Sequence, residues 1–380
     1  SAGRWWPLVQ RQHARLWISR SRFEPWGANS NVGAGHIRPF DRSSESPFAL
    51  GAGGSERRVG ILQDDGLTEA IAASLRARQR PDGGWPARTD GPSDTESTAW
   101  AVLALGREAY PSAPDGRSAL AGERAASGGL RWLLESQESD GGWAWSPAAP
   151  GAGWATAPAM LALVAGRGAD DAVARGGRWL LRTRGRGYSL RTRFLLWLLN
   201  RKPAVALDAS LRGWPWVPDT FGWVEPTAWS LLALRACAEL LPPARVRDRT
   251  DDGEAMLLDR ACVGGGWNYG NRTVLGVDLW PYPDTTAIAL LALERRADAP
   301  PVREGLEALT RLLSPPASRL SLALSALAFA VHGRDATGVL DRLRIRWTDA
   351  TDETTTRATA ISLLALRGGR LPGAGGGSSS

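Results

Sequence analysis

The sequence predicts an all-α chain closed on itself as a double α-barrel of about six helical hairpins. Three observations predict it. The stretch Gln79-Arg80-Pro81-Asp82-Gly83-Gly84-Trp85 returns as Gln137-Glu138-Ser139-Asp140-Gly141-Gly142-Trp143, and in degenerate form as Gly264-Gly265-Gly266-Trp267. A second unit follows each turn: Thr98-Ala99-Trp100-Ala101-Val102-Leu103-Ala104-Leu105, with further copies beginning at Thr156, Thr227, Thr286 and Thr359. These copies are apolar all round and must be buried on every side, whereas the segments between them are amphipathic. A closed ring satisfies both kinds of helix, with the apolar ones inside and the half-exposed ones outside.

The elements follow in order. Amphipathic helices are expected over Leu67 to Gln79, Ser118 to Gln137, Ala172 to Arg182, Gly253 to Cys262, Glu304 to Leu313 and Asp341 to Arg346. In the second, Leu120, Leu130, Leu133 and Leu134 form one face, and Glu123, Arg124, Arg131 and Glu135 lie elsewhere. Inner helices are expected to start near residues 98, 156, 192, 227, 286, 321 and 359. The spacing is about 35 residues, with longer intervals where a turn loop is long. Gly pairs end the outer helices because glycine takes the positive φ that a tight helix exit requires. Trp214-Pro215-Trp216-Val217-Pro218 reads as a rigid aromatic loop, and residues 371 to 380 as a flexible Gly/Ser tail.

The barrel is assigned to residues 61 to 370, preceded by a basic extension over residues 1 to 60. The net charge of +7 is carried mainly by that extension, whose nine Arg and four acids give +5. The rest is nearly neutral, so the high pI is no sign of a nucleic-acid partner. With Trp5, Trp6, Trp17 and Trp26, the extension could touch an anionic membrane surface, and otherwise it is an unstructured arm. Cys237 and Cys262 show neither metal-ligand spacing nor a disulfide framework and are expected to be small core residues. No run of about 18 apolar residues occurs, no secretory leader is evident, and a cytoplasmic location is expected.

The run from Gly129-Leu130-Arg131-Trp132-Leu133-Leu134-Glu135-Ser136-Gln137 to Trp143 resembles the QW repeat of squalene and oxidosqualene cyclases. The Thr-Ala-x-x-Leu-Leu-Ala-Leu segments are similar to those of the wider prenyltransferase and squalene-cyclase repeat superfamily, whose fold is an α/α toroid. The resemblance covers roughly residues 61 to 368 and implies that Gln hydrogen bonds and Trp packing tie helix ends together. It further implies a class II terpene cyclase site, in which the central Asp of Asp-x-Asp-Asp-Thr-Ala protonates an alkene or epoxide. No such motif is present. The nearest matches are Asp94-Thr95-Glu96-Ser97-Thr98-Ala99, with Glu96 at the acid position, and Tyr282-Pro283-Asp284-Thr285-Thr286-Ala287, with Asp284 there. The zinc ligands of the protein prenyltransferase branch have no counterpart around His13, His36 and His332, so neither metal nor cofactor is expected.

Asp94, Glu96, Glu225, Asp284, Asp352 and Glu353 all precede inner segments. If the inner helices run parallel, these acids gather at one mouth with Trp100, Trp223, Trp229, Trp280 and Tyr282. Carboxylates under aromatic faces suit a carbocation. Each acid also has a plain use as a helix cap, and Ser93 to Glu96 has capping-box spacing. The leading expectation is a toroid that binds or cyclises an isoprenoid or other apolar small molecule, with Asp284, then Glu96 and Asp94, as candidate acids and the five aromatics as substrate contacts. A non-catalytic toroid binding a lipid or protein partner is the alternative. A carbohydrate-active barrel with two carboxylates across an open cleft is the third.

Overall fold

The computed structural model describes residues 64–106, 116–149, 151–187, 198, 208, 210–274, 276–314, 317–348 and 355–375. The extension at residues 1 to 60, Asp352, Glu353 and nearly all of the segment expected as an inner helix near residue 192 lie outside them. Twelve α-helices occur among the described residues, in alternating outer and inner order. The outer helices are α1 (Asp64–Ala77), α3 (Gly116–Glu135), α5 (Asp170–Arg182), α7 (Pro243–Asp259), α9 (Pro300–Leu312) and α11 (Thr337–Thr348). The inner ones are α2 (Thr95–Leu105), α4 (Thr156–Gly166), α6 (Val224–Ala236), α8 (Pro283–Ala292), α10 (Arg319–Val331) and α12 (Thr356–Leu366).

Each inner helix packs on the next, α2 on α4, α4 on α6, and so on to α12, which packs back on α2. Among the described residues the ring therefore closes with six staves, and α4 packs directly on α6. In α2, and in α6 and α12 up to Leu234 and Ala365, the apolar and small residues are buried on all faces, as their composition requires. The outer helices bury one stripe; in α5 it is Ala172, Val173, Gly176, Trp179 and Leu180.

Four joints between outer and inner helices share one wiring. Past the turn, Trp85, Trp143, Trp214 and Trp267 are fully buried. Each backbone N–H donates to the hydroxyl of the recurrent Thr on the following inner helix, Thr98, Thr156, Thr227 or Thr286, at 2.9 Å. Each indole N–H donates to a carbonyl at the end of the preceding outer helix, from Leu75, Leu133, Leu180 or Leu257. A buried indole removes about 150–250 Å² from water, and here its polar atom is satisfied as well.

In the first two copies the Gln and Asp link neighbouring hairpins. Gln79 Nε2 donates to Gly83 O in its own turn and to Ala125 O on α3; Gln137 Nε2 does the same with Gly141 O and Ala172 O on α5. Asp82 and Asp140 each accept the N–H of the second turn glycine and the indole N–H of the next outer helix, Trp132 or Trp179. The third hairpin lacks both residues. Arg249 of α7 ties that joint from the other side, donating to Thr183 O, Arg212 O and Gly213 O and stacking 3.5 Å from the Trp214 ring centroid. Burial and then the nearby Arg184 push its guanidinium down to about 9, against Asp252, which holds it up.

Several boundaries differ from the sequence reading. Inner helices α2, α6, α8 and α12 begin three residues before the recurrent Thr; in the first three that Thr accepts from the Trp loop one turn into the helix, and in α12 Thr359 donates back to Thr355 O. Helix α7 starts ten residues earlier than expected; its first half puts Val246 and the charged Arg249 on the buried stripe, which hides the apolar period. The capping box is displaced, since Asp94 is the N-cap and accepts from Ser97 N at 2.8 Å, while Ser93 donates to Asp82. The tail is packed beyond residue 371. Leu371 and Ala374 are buried, and Gly373 lies so close to Leu232 O that a Cβ there would come within 2.1 Å. Cys237 and Cys262 are free and buried.

Gly141 (φ +94°) and Gly168 (φ +77°) separate strain from crowding. A Cβ on Gly141 would meet Arg175 O at 2.8 Å, whereas one on Gly168 meets nothing within 4 Å. Both Gly→Ala changes carry the left-handed cost of about 1–2 kcal/mol, and Gly141→Ala adds a backbone clash. Urea unfolding is expected to give a clearly larger loss for Gly141→Ala; equal losses would contradict the close approach.

Candidate functional site

The inner helices all begin at the same end of the ring, and aligning the repeats on their Thr residues explains what meets there. Two residues before Thr98, Thr156, Thr227, Thr286 and Thr359 stand Glu96, Trp154, Glu225, Asp284 and Arg357. These positions share one level of a parallel ring. The structure brings the charged ones together. Arg357 Nη1 lies 2.9 Å from Glu96 Oε1 and Nη2 lies 2.5 Å from Glu225 Oε1. Helix α2 is a neighbour of α12, but α6 stands opposite it in the ring, so the Arg357 side chain crosses the lumen. Sequence reasoning passed over Arg357; the signal that could have found it is its register with the three acids.

One turn below, Trp100 and Trp229 meet edge to face with centroids 4.9 Å apart. Trp229 Nε1 donates to Glu225 Oε1 at 3.2 Å, an i to i+4 contact along α6. A cavity large enough for water would leave exposed surface on its lining, and these rings are 0% and 1% exposed. Under the ion cluster the lumen is therefore filled, and Trp100 and Trp229 line no open pocket.

The other expected site residues are placed differently. Asp94 is buried and spent on capping α2. Asp284 occupies the first turn of α8 and is half-buried. Burial and then the Glu225 carboxylate push its pKa up, against the Thr285 N–H and Arg357, which hold it down. Tyr269 is likewise pushed up, by burial and then by Asp284. For Arg357, burial opposes the charge, but Glu225 and Glu96 outweigh it and hold the guanidinium above its usual range.

Aromatic rings surround this floor. Tyr282 lies 5.1 Å from Tyr269 in a tilted stack, Trp154 meets Trp216 edge to face at 5.0 Å, and Trp223 lies against the backbone of Gly270. Trp280 is 83% exposed. The mouth thus gathers partly exposed aromatic rings beside three carboxylates and one guanidinium. It can stack a flat or apolar group and present a carboxyl at Asp284. It offers no two free carboxylates across an open cleft, because Glu96 and Glu225 are buried and share one Arg.

No family model matches the sequence and no curated protein matches it. Solved structures do. The apo type II terpene cyclase MstE from Scytonema is similar over 81% of this chain and 99% of that one, at 14% identity and a TM-score of 0.50. A protein from Actinoplanes covers 80% and 98%, at 19% identity and a TM-score of 0.48. A native α2-macroglobulin fragment from Escherichia coli gives 19% identity and a TM-score of 0.43, matching 79% of this chain but 42% of that one. At 14% identity the likeness to MstE is one of fold: the chain is an all-α toroid. No described helix is long and apolar enough to cross a membrane.

Removing Arg357 leaves two buried carboxylates without their cation, so Arg357→Met is expected to cost about 3–5 kcal/mol in urea unfolding; a neutral result would contradict the clamp. Asp284 gives a pH signature. A carboxyl whose folded pKa is raised binds its proton more tightly in the folded state, so stability falls as pH rises from the ordinary carboxylate range through the folded value. Asp284→Asn abolishes that loss. The variant is expected to be more stable than wild type at neutral pH, with the difference vanishing in acid, as read from thermal unfolding across pH.

Proposed function

We propose that this toroid is a binding module that takes an isoprenoid or another apolar small molecule against the aromatic rim of its mouth, without protonating it. The filled lumen carries this reading. A protonating cyclase needs an acid standing over an enclosed apolar cavity in which the substrate folds. Here Trp100 and Trp229 occupy that space, with the Glu96–Arg357–Glu225 clamp above them. Tyr282, Tyr269, Trp223, Trp154 and Trp216 remain as partly exposed faces for a ligand.

One observation favours a second reading, cyclisation with Asp284 as the acid. Asp284 forms no ion pair within 4 Å among the described residues, and burial raises its pKa, so it keeps its proton to higher pH than an ordinary carboxyl. That reading requires the Trp pair to move aside.

Incubation of purified wild type and Asp284→Asn with geranylgeranyl diphosphate, squalene and oxidosqualene, followed by mass spectrometry of extracts, separates the two. The binding module is expected to give no cyclic product while retaining an apolar ligand in the folded protein. A cyclic product made by wild type and lost in Asp284→Asn would replace it with a cyclase.

A further inference from the structure

On the outer layer, α9 packs on α8 and α11 packs on α10, and between these two outer helices lies a surface cleft of about 550 Å³. Its apolar lining is Leu306 of α9 and Phe329 of α10, both buried, with Val339 of α11 half-buried beside them. Phe329 stands two residues from the end of α10, so the cleft lies toward the end of the ring opposite the mouth. Its volume is within the range of small-molecule sites, about 300–1,000 Å³.

The cleft is kept open by a glycine that no neighbour demands. In four other outer helices Gly129, Gly176, Gly253 and Gly305 make room for the Trp of a joint, whose ring a Cβ would meet at 2.9 Å or less. Gly338 of α11 lines the cleft, and a Cβ there would meet nothing within 4 Å. Gly338, Val339 and Arg342 share one face of the helix, at i, i+1 and i+4.

The polar groups of the lining are matched within the protein, with one exception. Thr310 donates its hydroxyl to Leu306 O at 3.1 Å. Asp335 accepts the N–H and the hydroxyl of Thr337 at 2.9 and 2.7 Å. Arg334 pairs with Glu307 at 3.3 Å. Arg342 is half-buried and has no ion pair or hydrogen-bond partner for its guanidinium among the described residues. A guanidinium fork fits a carboxylate or a phosphate. One surplus positive charge, with the Asp335 carboxylate lining the same cleft, selects a single negative charge over a phosphate monoester, which carries about −1.5 to −2.

We propose that this cleft binds an amphiphilic monocarboxylate, its apolar body on Leu306, Phe329 and Val339 and its carboxylate on Arg342. The site shares no residue with the mouth and does not depend on what the mouth binds.

Calorimetric titration of the full chain with decanoate, decanol and decyl phosphate tests it. Wild type is expected to bind decanoate about tenfold more tightly than decanol, the effect of one charge-assisted hydrogen bond, and more tightly than decyl phosphate. Arg342→Gln is expected to bring decanoate down to the level of decanol and to leave decanol unchanged, and Gly338→Leu, which fills the cleft, to abolish the site for both. Each variant is expected to unfold at the wild-type temperature or above, because Arg342 gives up no partner and leucine is the better helix former. Equal binding of decanoate and decanol by wild type would overturn the proposal, as would a preference for decyl phosphate or the absence of any decanoate binding. Decanoate binding that both variants retain at wild-type strength would overturn it too, and would place that ligand at the mouth.

Discussion

A ring has no terminal helix, so its last stave must find its first loop, and that closure is the constraint on which the rest of this molecule depends. Thr356, at the start of α12, donates its N–H to Ala87 O at 3.0 Å and its hydroxyl to Pro86 O at 2.6 Å. The same handover joins α2 to the next loop through Thr95 and Trp145, and α6 to the loop that carries Tyr269. The first N–H groups of a helix have no partner within it. Here they are satisfied by the neighbouring hairpin, so an inner helix is complete only when the next unit is in place. Joining ends this far apart in sequence costs little more than joining nearer ones, because closure entropy grows only logarithmically with loop length.

The repeated joint is a requirement that several side chains can meet. Trp beyond the turn, Thr on the inner helix and a carbonyl at the outer helix end recur in all four copies described above. The Gln and Asp that reinforce the first two are absent from the later ones. At the third joint Arg249 reaches back from α7. At the turn before Trp267, Arg311 of α9 donates to Gly264 O at 3.0 Å. What persists is the satisfaction of buried carbonyls at the seam, which a bare backbone could not meet without water.

The mouth is where the fold departs from the demands of stability. A guanidinium and two carboxylates taken out of water lose much of their solvation, and an apolar trio of similar size would often hold the ring as well. The cluster sits at the level where α2, α6 and α12 bring Glu96, Glu225 and Arg357 together, above a Trp pair that fills the lumen. It closes the ring's interior and leaves Asp284, with its raised pKa, at the accessible edge of the floor.

The sequence by itself determined the helical class, the alternation of buried and half-exposed helices, the ring and the end at which the acids gather. Those features follow from local period, from glycines that must take positive φ, and from helices with no polar face, all of which are properties of short stretches. It did not determine that Asp94 is the cap of α2, or that Leu371 and Ala374 are buried beyond the last helix. Above all, it left the mouth looking like an open aromatic pocket. Only the tertiary structure decided that Trp100 and Trp229 meet and that Arg357 crosses to Glu225, because partners on helices across a ring are set by its diameter and register, and no local pattern encodes either.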